Sequence, residues 1–137
     1  MAEEITNIFP IVLLRDRLMP NLFNEDIADI TYWAGKSLAR EFELHGIKAI
    51  IDFFNDAGFG TLTMHSQKAT MQKWHLTGQV IETRLNEEKV PDFNLEAGFI
   101  AQQTQQQLGF GAEAQVEINK NIVILTVLTE SAGTLQD

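Results

Sequence analysis

The residues that could do chemistry are few. The chain holds three histidines, His45, His65 and His75, and no cysteine. Without thiolates there is no disulfide, no Cys-ligated zinc or iron–sulfur site and no thiol nucleophile. His65 and His75 fall in Gly60–Ser66 and Ala69–Thr77, two segments that alternate like the strands of a hairpin. Pairing Leu62 with Trp74 sets the two imidazoles about 13 Å apart along the sheet, too far to share a metal ion. His45 follows a helix, where an imidazole near the C-terminus is favourable without a catalytic role. Asp52 and Asp56 stand one turn apart on a helix and read as a solvated face. Glu96 falls in the first turn of its helix, where a carboxylate complements the dipole; a buried role beside Ala97 and Gly98 is the alternative. Gly58-Phe59-Gly60 lacks phosphate-loop spacing, and no Gly-x-Ser-x-Gly elbow is present. Spacing gathers no pair of titratable groups. The chain therefore reads as a non-enzyme, with no metal site and no cofactor expected.

The aromatics are more informative. Tyr32, Trp33 and Phe53 lie beside or off the apolar stripes of their helices, and Phe99 makes a second patch with Leu95. Phe59 sits at a helix–strand junction and Trp74 in a strand. A helix with apolar residues outside its main stripe needs a second burial partner. That partner is the core itself, a dimer mate, or a ligand channel between helices and sheet. Tyr32, Trp33, Phe53, Phe59, Trp74 and Phe99 are thus the candidates for ligand binding or an interface.

The elements that must position these residues follow from periodicity. Pro10 opens a first helix with Ile11, Leu14 and Leu18 at helical spacing, and Pro20 is expected to stop it. A second helix over Asp26–Phe42, capped by Asn24 and ended by Gly46, is the expected spine, its core stripe being Ile27, Ile30, Ala34 and Leu38. Lys36, Arg40, Asp29 and Glu43 gather opposite. A third helix buries Ile47, Ile50, Ile51 and Phe54 and stops at Gly58. In the first hairpin Leu62, Met64, Trp74 and Leu76 share one face. Val80, Ile81, Arg84 and Leu85 suit a short helix slightly better than a strand, and Pro91 ends it. The next helix is capped by Asp92 or Asn94 and runs to Leu108, with Phe93, Ala97, Ile100, Ala101, Thr104 and Leu108 as its stripe; Gly98 inside it implies a close backbone approach. Gln102–Gln107 reads as an uncharged solvated or contact face. A second hairpin closes the chain: Ala112–Ile118 has one wet face, Asn119–Asn121 turns, and Ile122–Leu128 is a central strand expected to be covered on both faces. The order implies an α+β domain, a helical layer packed on a twisted antiparallel sheet built from two hairpins.

Composition bounds the setting. The 137 residues suit a single domain, with 1–7 and 130–137 expected to be flexible. The net charge of −9 and ten dispersed basic residues make nucleic acid and anionic membrane surfaces poor partners. The longest apolar run cannot span a bilayer, and the acidic start MAEEITN lacks the basic region of a secretory signal. A cytoplasmic protein is the expectation.

Three stretches, YWAGKSLAREF, FFNDAGFGTLT and FNLEAGFIAQQ, with the hairpin order, resemble the YslB-like bacterial proteins of unknown function. The likeness runs from about Leu18 to Leu128. That family resembles in turn the vinyl-reductase-type small-molecule-binding domains, the small subunits of the TRAPP tethering complex and the ligand-binding domains of nitric-oxide signalling. The resemblance implies helices on one face of a twisted antiparallel sheet, dimers through N-terminal helices and, in some relatives, an apolar channel. Gly35 and Gly98 fall where such relatives carry glycines. The cysteines of the vinyl-reductase-type domains are missing, so their metal or tetrapyrrole chemistry does not carry over. The expected function is a non-enzymatic, homodimeric domain that binds or senses a small apolar ligand. The alternative is a protein-interaction adaptor with a solid core.

Overall fold

Strand alternation sets the sheet. In β1 (Thr61–Lys68) and β2 (Met71–Thr77), Leu62, Met64, Trp74 and Leu76 face the core together, as their parity requires. β3 (Ala112–Asn119) and β4 (Ile122–Thr129) form the second hairpin, which turns at Lys120 with a left-handed φ of 57°. The strand order is β1-β2-β4-β3, and all pairings are antiparallel. This is a computed structural model and it describes residues 8–137; the expectation for residues 1–7 lies outside the described residues. β4 is central, as its apolar run predicts, but it is not covered on both faces. Val123, Leu125 and Val127 are buried, whereas Ile122 and Ile124 are half-buried and Leu128 is exposed. The core lies on one side of the sheet, so only one set of alternating side chains is shielded.

The expected helical layer is present. A helical stretch made of α1 (Ile8–Val12), a π-helical turn (Leu13–Leu18) and α2 (Met19–Phe23) leads into α3 (Ile27–Ala39). Then come α4 (Gly46–Asp56), α5 (Gln79–Leu85) and α6 (Asn94–Leu108). α4 buries Ile50 and Phe54 with Ile47 and Ile51 beside them, and Gly109 ends α6 at φ 88°.

The organising helix is α6 rather than the predicted spine. Every residue from Glu96 to Thr104 is buried. α3 lies along it: Thr31 bonds Asp92, Gly35 meets Leu95 and Phe99, and Gln103 bonds the Ala39 carbonyl. These contacts advance in the same direction on both helices, so the two run parallel. The buried face of α3 is therefore Thr31, Gly35 and Ala39, with Lys36, rather than the predicted apolar stripe. Ile27 and Leu38 are half-buried, while Ile30 and Ala34 are exposed. The reason is steric. A Cβ at Gly35 would overlap the Leu95 carbonyl oxygen, and one at Gly98 the Tyr32 carbonyl oxygen. Backbones this close admit only small residues between them.

Several helix ends differ from expectation. α3 stops at Ala39, short of Phe42, and Gly46 opens α4 at φ 88° rather than closing α3. Asn24 does not cap α3 with its side chain; it turns the chain at φ 51° into a 3-10 turn over Asn24–Asp26. Pro20 does not stop the first helix but stands in the first turn of α2. A proline ring clashes with the carbonyl four residues back in a regular helix. The π-helical turn just before it, closed by Met19 N–H donating to the Leu14 carbonyl, respaces those carbonyls. The segment after Glu130 has no helix or strand, yet Leu135 within it is buried.

Candidate functional site

Of the six aromatic candidates, four belong to the interior. Phe53 stacks on Phe99 with centroids 4.4 Å apart, and Phe59 and Phe54 meet Phe99 edge-on. Trp74 is fully buried, its indole N–H donating to Gln72 Oε1 at 3.0 Å. Tyr32 is half-buried. Its hydroxyl donates to Glu113 and accepts the Ala114 N–H at 2.9 Å, which ties α3 to the edge strand β3. Burial, then the bond to Glu113, raise this hydroxyl's pKa above the ordinary tyrosine range. Lys36, predicted to be solvated, is instead buried with its ammonium 2.8 Å from Glu113. Trp33 stands apart: 63% of it is exposed, and the Lys36 ammonium lies over its ring. The structure thus gathers Phe53, Phe59 and Phe99 and leaves Trp33 on the surface.

The two strand histidines are much closer than the predicted register allows. Leu62 pairs with Leu76, not Trp74, and a bulge at His65 shifts the register between Met64 and Ser66. The rings of His65 and His75 stack face to face with centroids 4.2 Å apart. Burial, then the neighbouring His65 and Lys73, lower the pKa of His75. Among the described residues no third His, Asp or Glu joins them in a metal-holding group.

The concentration of chemistry lies elsewhere, at the N-terminal end of α6. Arg15, on the π-helical turn, forks onto Glu96 with bonds of 2.9 and 2.7 Å. Arg84 of α5 forks onto Asp16 at 3.0 and 2.9 Å and reaches Glu96 at 3.3 Å. Both guanidinium groups also donate to the Asp92 carbonyl. The Asp92 carboxylate accepts the Thr31 hydroxyl at 2.7 Å and the Asn94 N–H, so it serves the helix start from outside the cap. Arg84 lies over the Phe93 ring at 4.3 Å. All four charged side chains are buried, two positive and two negative. Burial alone would raise the pKa of Glu96, but Arg15 and then Arg84 outweigh it and hold it below the ordinary carboxylate range. Arg15, Arg84, Asp16 and Glu96 are each paired with an opposite charge, so the network locks the N-terminal helical stretch, α5 and α6 together.

An open cleft of about 670 Å³ borders this network, lined in part by Asp16, Asn21, Asn24, Lys89 and Asp92. Outside it, the N-terminal helical stretch turns Phe9, Leu13, Leu14, Leu18 and Leu22 to solvent, each about half or more exposed. The π-helical turn aligns them. At 100° per residue they would spread over roughly 220°, but the wider turn gathers them within roughly 130°. Ile30 and Trp33 of α3 add further exposed apolar surface.

The family described as "Protein of unknown function (DUF2507)" matches residues 8–128. The chain belongs to that family. It is similar to the uncharacterized protein YslB of Bacillus subtilis (strain 168), with 40% identity over 129 residues, 93% of this chain and 87% of that protein. The stretch that matches the DUF2507 family thus begins with α1 and holds the whole ion network. Sequence reasoning marked Glu96 but missed Arg15, Asp16 and Arg84. The available signal was Arg84, which sits on the apolar side of its short helix beside Val80 and Ile81. The role of the glutamine run was also missed. Gln103 Nε2 donates to the Ala39 and Phe42 carbonyls at the end of α3, and Gln107 Oε1 accepts the Gly46 N–H at the start of α4. No described helix is long and apolar enough to cross a membrane.

Proposed function

We propose that this domain is a non-enzymatic association module that pairs with a second copy of itself through the N-terminal helical stretch. The exposed stripe Phe9, Leu13, Leu14, Leu18 and Leu22 carries the reading. With Ile30 and Trp33 it amounts to on the order of several hundred Å² of apolar surface, more than a monomer ordinarily leaves open. Doubled by a two-fold axis, such a face approaches the ~1,200–2,000 Å² that a stable interface buries. The charged side of the same stretch is turned inward onto Glu96 and Arg84, so the outward side is free to be apolar. The packing of Phe53, Phe59 and Phe99 on one another, and the burial of Trp74, favour this adaptor reading over an apolar ligand held between helices and sheet.

Sedimentation velocity tests it. The wild-type chain should sediment at twice the chain mass at micromolar concentration. Leu22→Glu, at a position already 62% exposed, should sediment as a monomer with an unchanged circular dichroism spectrum, its unfolding midpoint falling only by the stabilisation that association gave the wild type. A wild-type monomer at these concentrations would sink the proposal.

A further inference from the structure

The segment after β4 is held in a manner that suits a peptide ligand. Leu135 is 5% exposed and joins the core cluster, whereas Thr134, Gln136 and Asp137 around it are exposed. The rest of the hold is on main-chain groups. Leu135 N–H donates to Gln67 Oε1 at 2.6 Å, and Gln67 Nε2 donates back to the Leu135 carbonyl at 3.4 Å. The Gln136 carbonyl accepts the Ile47 N–H at 2.6 Å, at the open start of α4, and Gly133 N–H donates to the Ala69 carbonyl. A Cβ at Gly46 would stand 3.0 Å from the Asp137 carbonyl, so the missing side chain admits the segment. The bulge at His65 builds the clamp. It shifts the register so that Gln67 comes opposite Gln72, a core-facing residue. Main-chain bonds plus one side-chain pocket are how folded domains recognise extended peptides whose sequence is otherwise free.

A second observation points the same way. The segment forms one wall of an open cleft of about 570 Å³, whose other walls include Glu43, His45, Gln106 and Gln107. Gln107 Nε2 is buried there and has no acceptor among the described residues. A buried donor without an acceptor is costly to leave in place, and Gly133–Gln136 as seated does not satisfy it, so a bound peptide that reaches across this cleft gains a bond the segment lacks.

We propose that the groove between Gln67 of β1 and the start of α4 is a recognition site for an extended peptide of another protein. That peptide carries one leucine-sized apolar residue among small or polar neighbours, and Gly133–Gln136 occupies the groove as a built-in, displaceable stand-in. This surface is separate from the helical face proposed for pairing and stands without it.

Hydrogen exchange at the Ile47 amide reads the groove directly. In the 137-residue chain Leu135→Asp should release the segment and speed Ile47 exchange at least about tenfold. Adding a synthetic peptide of sequence Ser131–Asp137 should restore protection saturably, and the same peptide with aspartate for leucine should not. Gln67→Ala in the released chain should weaken peptide binding about tenfold, the loss expected for a main-chain clamp. If Leu135→Asp does not fold, Leu135→Ala serves the same comparison. Unchanged Ile47 exchange in the folded variant, or no rescue by the peptide, would overturn the proposal. Rescue by an intact second copy but not by the peptide would overturn it too, by assigning the groove to the chain itself.

Discussion

Replacing Glu96 with alanine is expected to destabilise the fold by about 3–5 kcal/mol, the cost of leaving buried cations without their counter-charge. Glu96 is wholly buried and, among the described residues, is the only carboxylate bonded to both Arg15 and Arg84. Arg84 keeps Asp16, but among the described residues Arg15 would keep only the Asp92 carbonyl, at 3.3 Å. Urea unfolding monitored by circular dichroism measures the loss as a lower midpoint at unchanged slope. The size of that effect does not mean that the network is a large net stabiliser, because desolvating four charges offsets most of their attraction. Arg15→Met combined with Glu96→Leu removes one pair together and leaves the Arg84–Asp16 fork intact. That double variant should recover at least half of the single variant's loss. If it is no better than Glu96→Ala, the network is held by something other than charge pairing.

The acid side of the stability profile follows from the same residue. The folded pKa of Glu96 lies below its ordinary value of 4.5. The folded state therefore binds this proton less readily than the unfolded chain does. Its contribution is fully present above the unfolded pKa and is lost as pH falls through the depressed folded value. Unfolding free energy measured from pH 7 downward should hold near neutrality and fall steeply only below about pH 4.5. The Glu96→Ala variant should show a shallower fall.

How legible all this was in the sequence depends on which force places each element. Where burial of large apolar side chains decides, periodicity reads well: α4, the presence of two hairpins and the α+β layering came out as expected, though the register of the first hairpin and the cover on β4 did not. Where close contact of small residues decides, hydrophobicity points the wrong way. The apolar Ile30 and Ala34 of α3 are on the surface, and Thr31, Gly35 and Ala39 are inside. α6 reads as a half-polar helix with a glutamine-rich end, yet it is buried on every side from Glu96 to Thr104. Gln103 and Gln107 turn inward because they satisfy the helix ends beside them. Arg15 and Asp16 were unreadable for a related reason. Each is ordinary as a surface charge, and only the fold brings residues 15, 84 and 96 into one place. The histidine spacing failed because the strands pair two residues away from the expected register, Leu62 with Leu76, and side-chain parity does not separate two such registers.

Gly98→Ala is the other large effect, and its sign is decided by geometry against propensity. In an exposed helix interior the change would stabilise by about 1 kcal/mol. Here the new methyl would overlap the Tyr32 carbonyl oxygen, with the Tyr32 carbonyl carbon at 2.9 Å and the Lys36 nitrogen at 3.2 Å. These are backbone atoms of α3, so no rotamer change can clear them, and the two helices must move apart. Overpacking of a tight interior costs about 1–3 kcal/mol, occasionally more, and a clash with rigid backbone belongs at the upper end. The expected net loss is therefore about 3 kcal/mol, seen as a drop in thermal midpoint. Gly109→Ala makes a control. Nothing lies within 4 Å of its added Cβ, so only the left-handed φ of 88° is strained, and about 1 kcal/mol should be lost. Gly35→Ala should match Gly98→Ala, because its methyl would meet the Leu95 carbonyl oxygen and the Phe99 nitrogen of α6. The double variant separates two accounts of these losses. If α3 and α6 part as rigid bodies, one separation accommodates both methyls, and the double loss falls well short of the sum. If each methyl is absorbed by local distortion, the losses add, and the parallel packing of α3 on α6 is not what requires the two glycines.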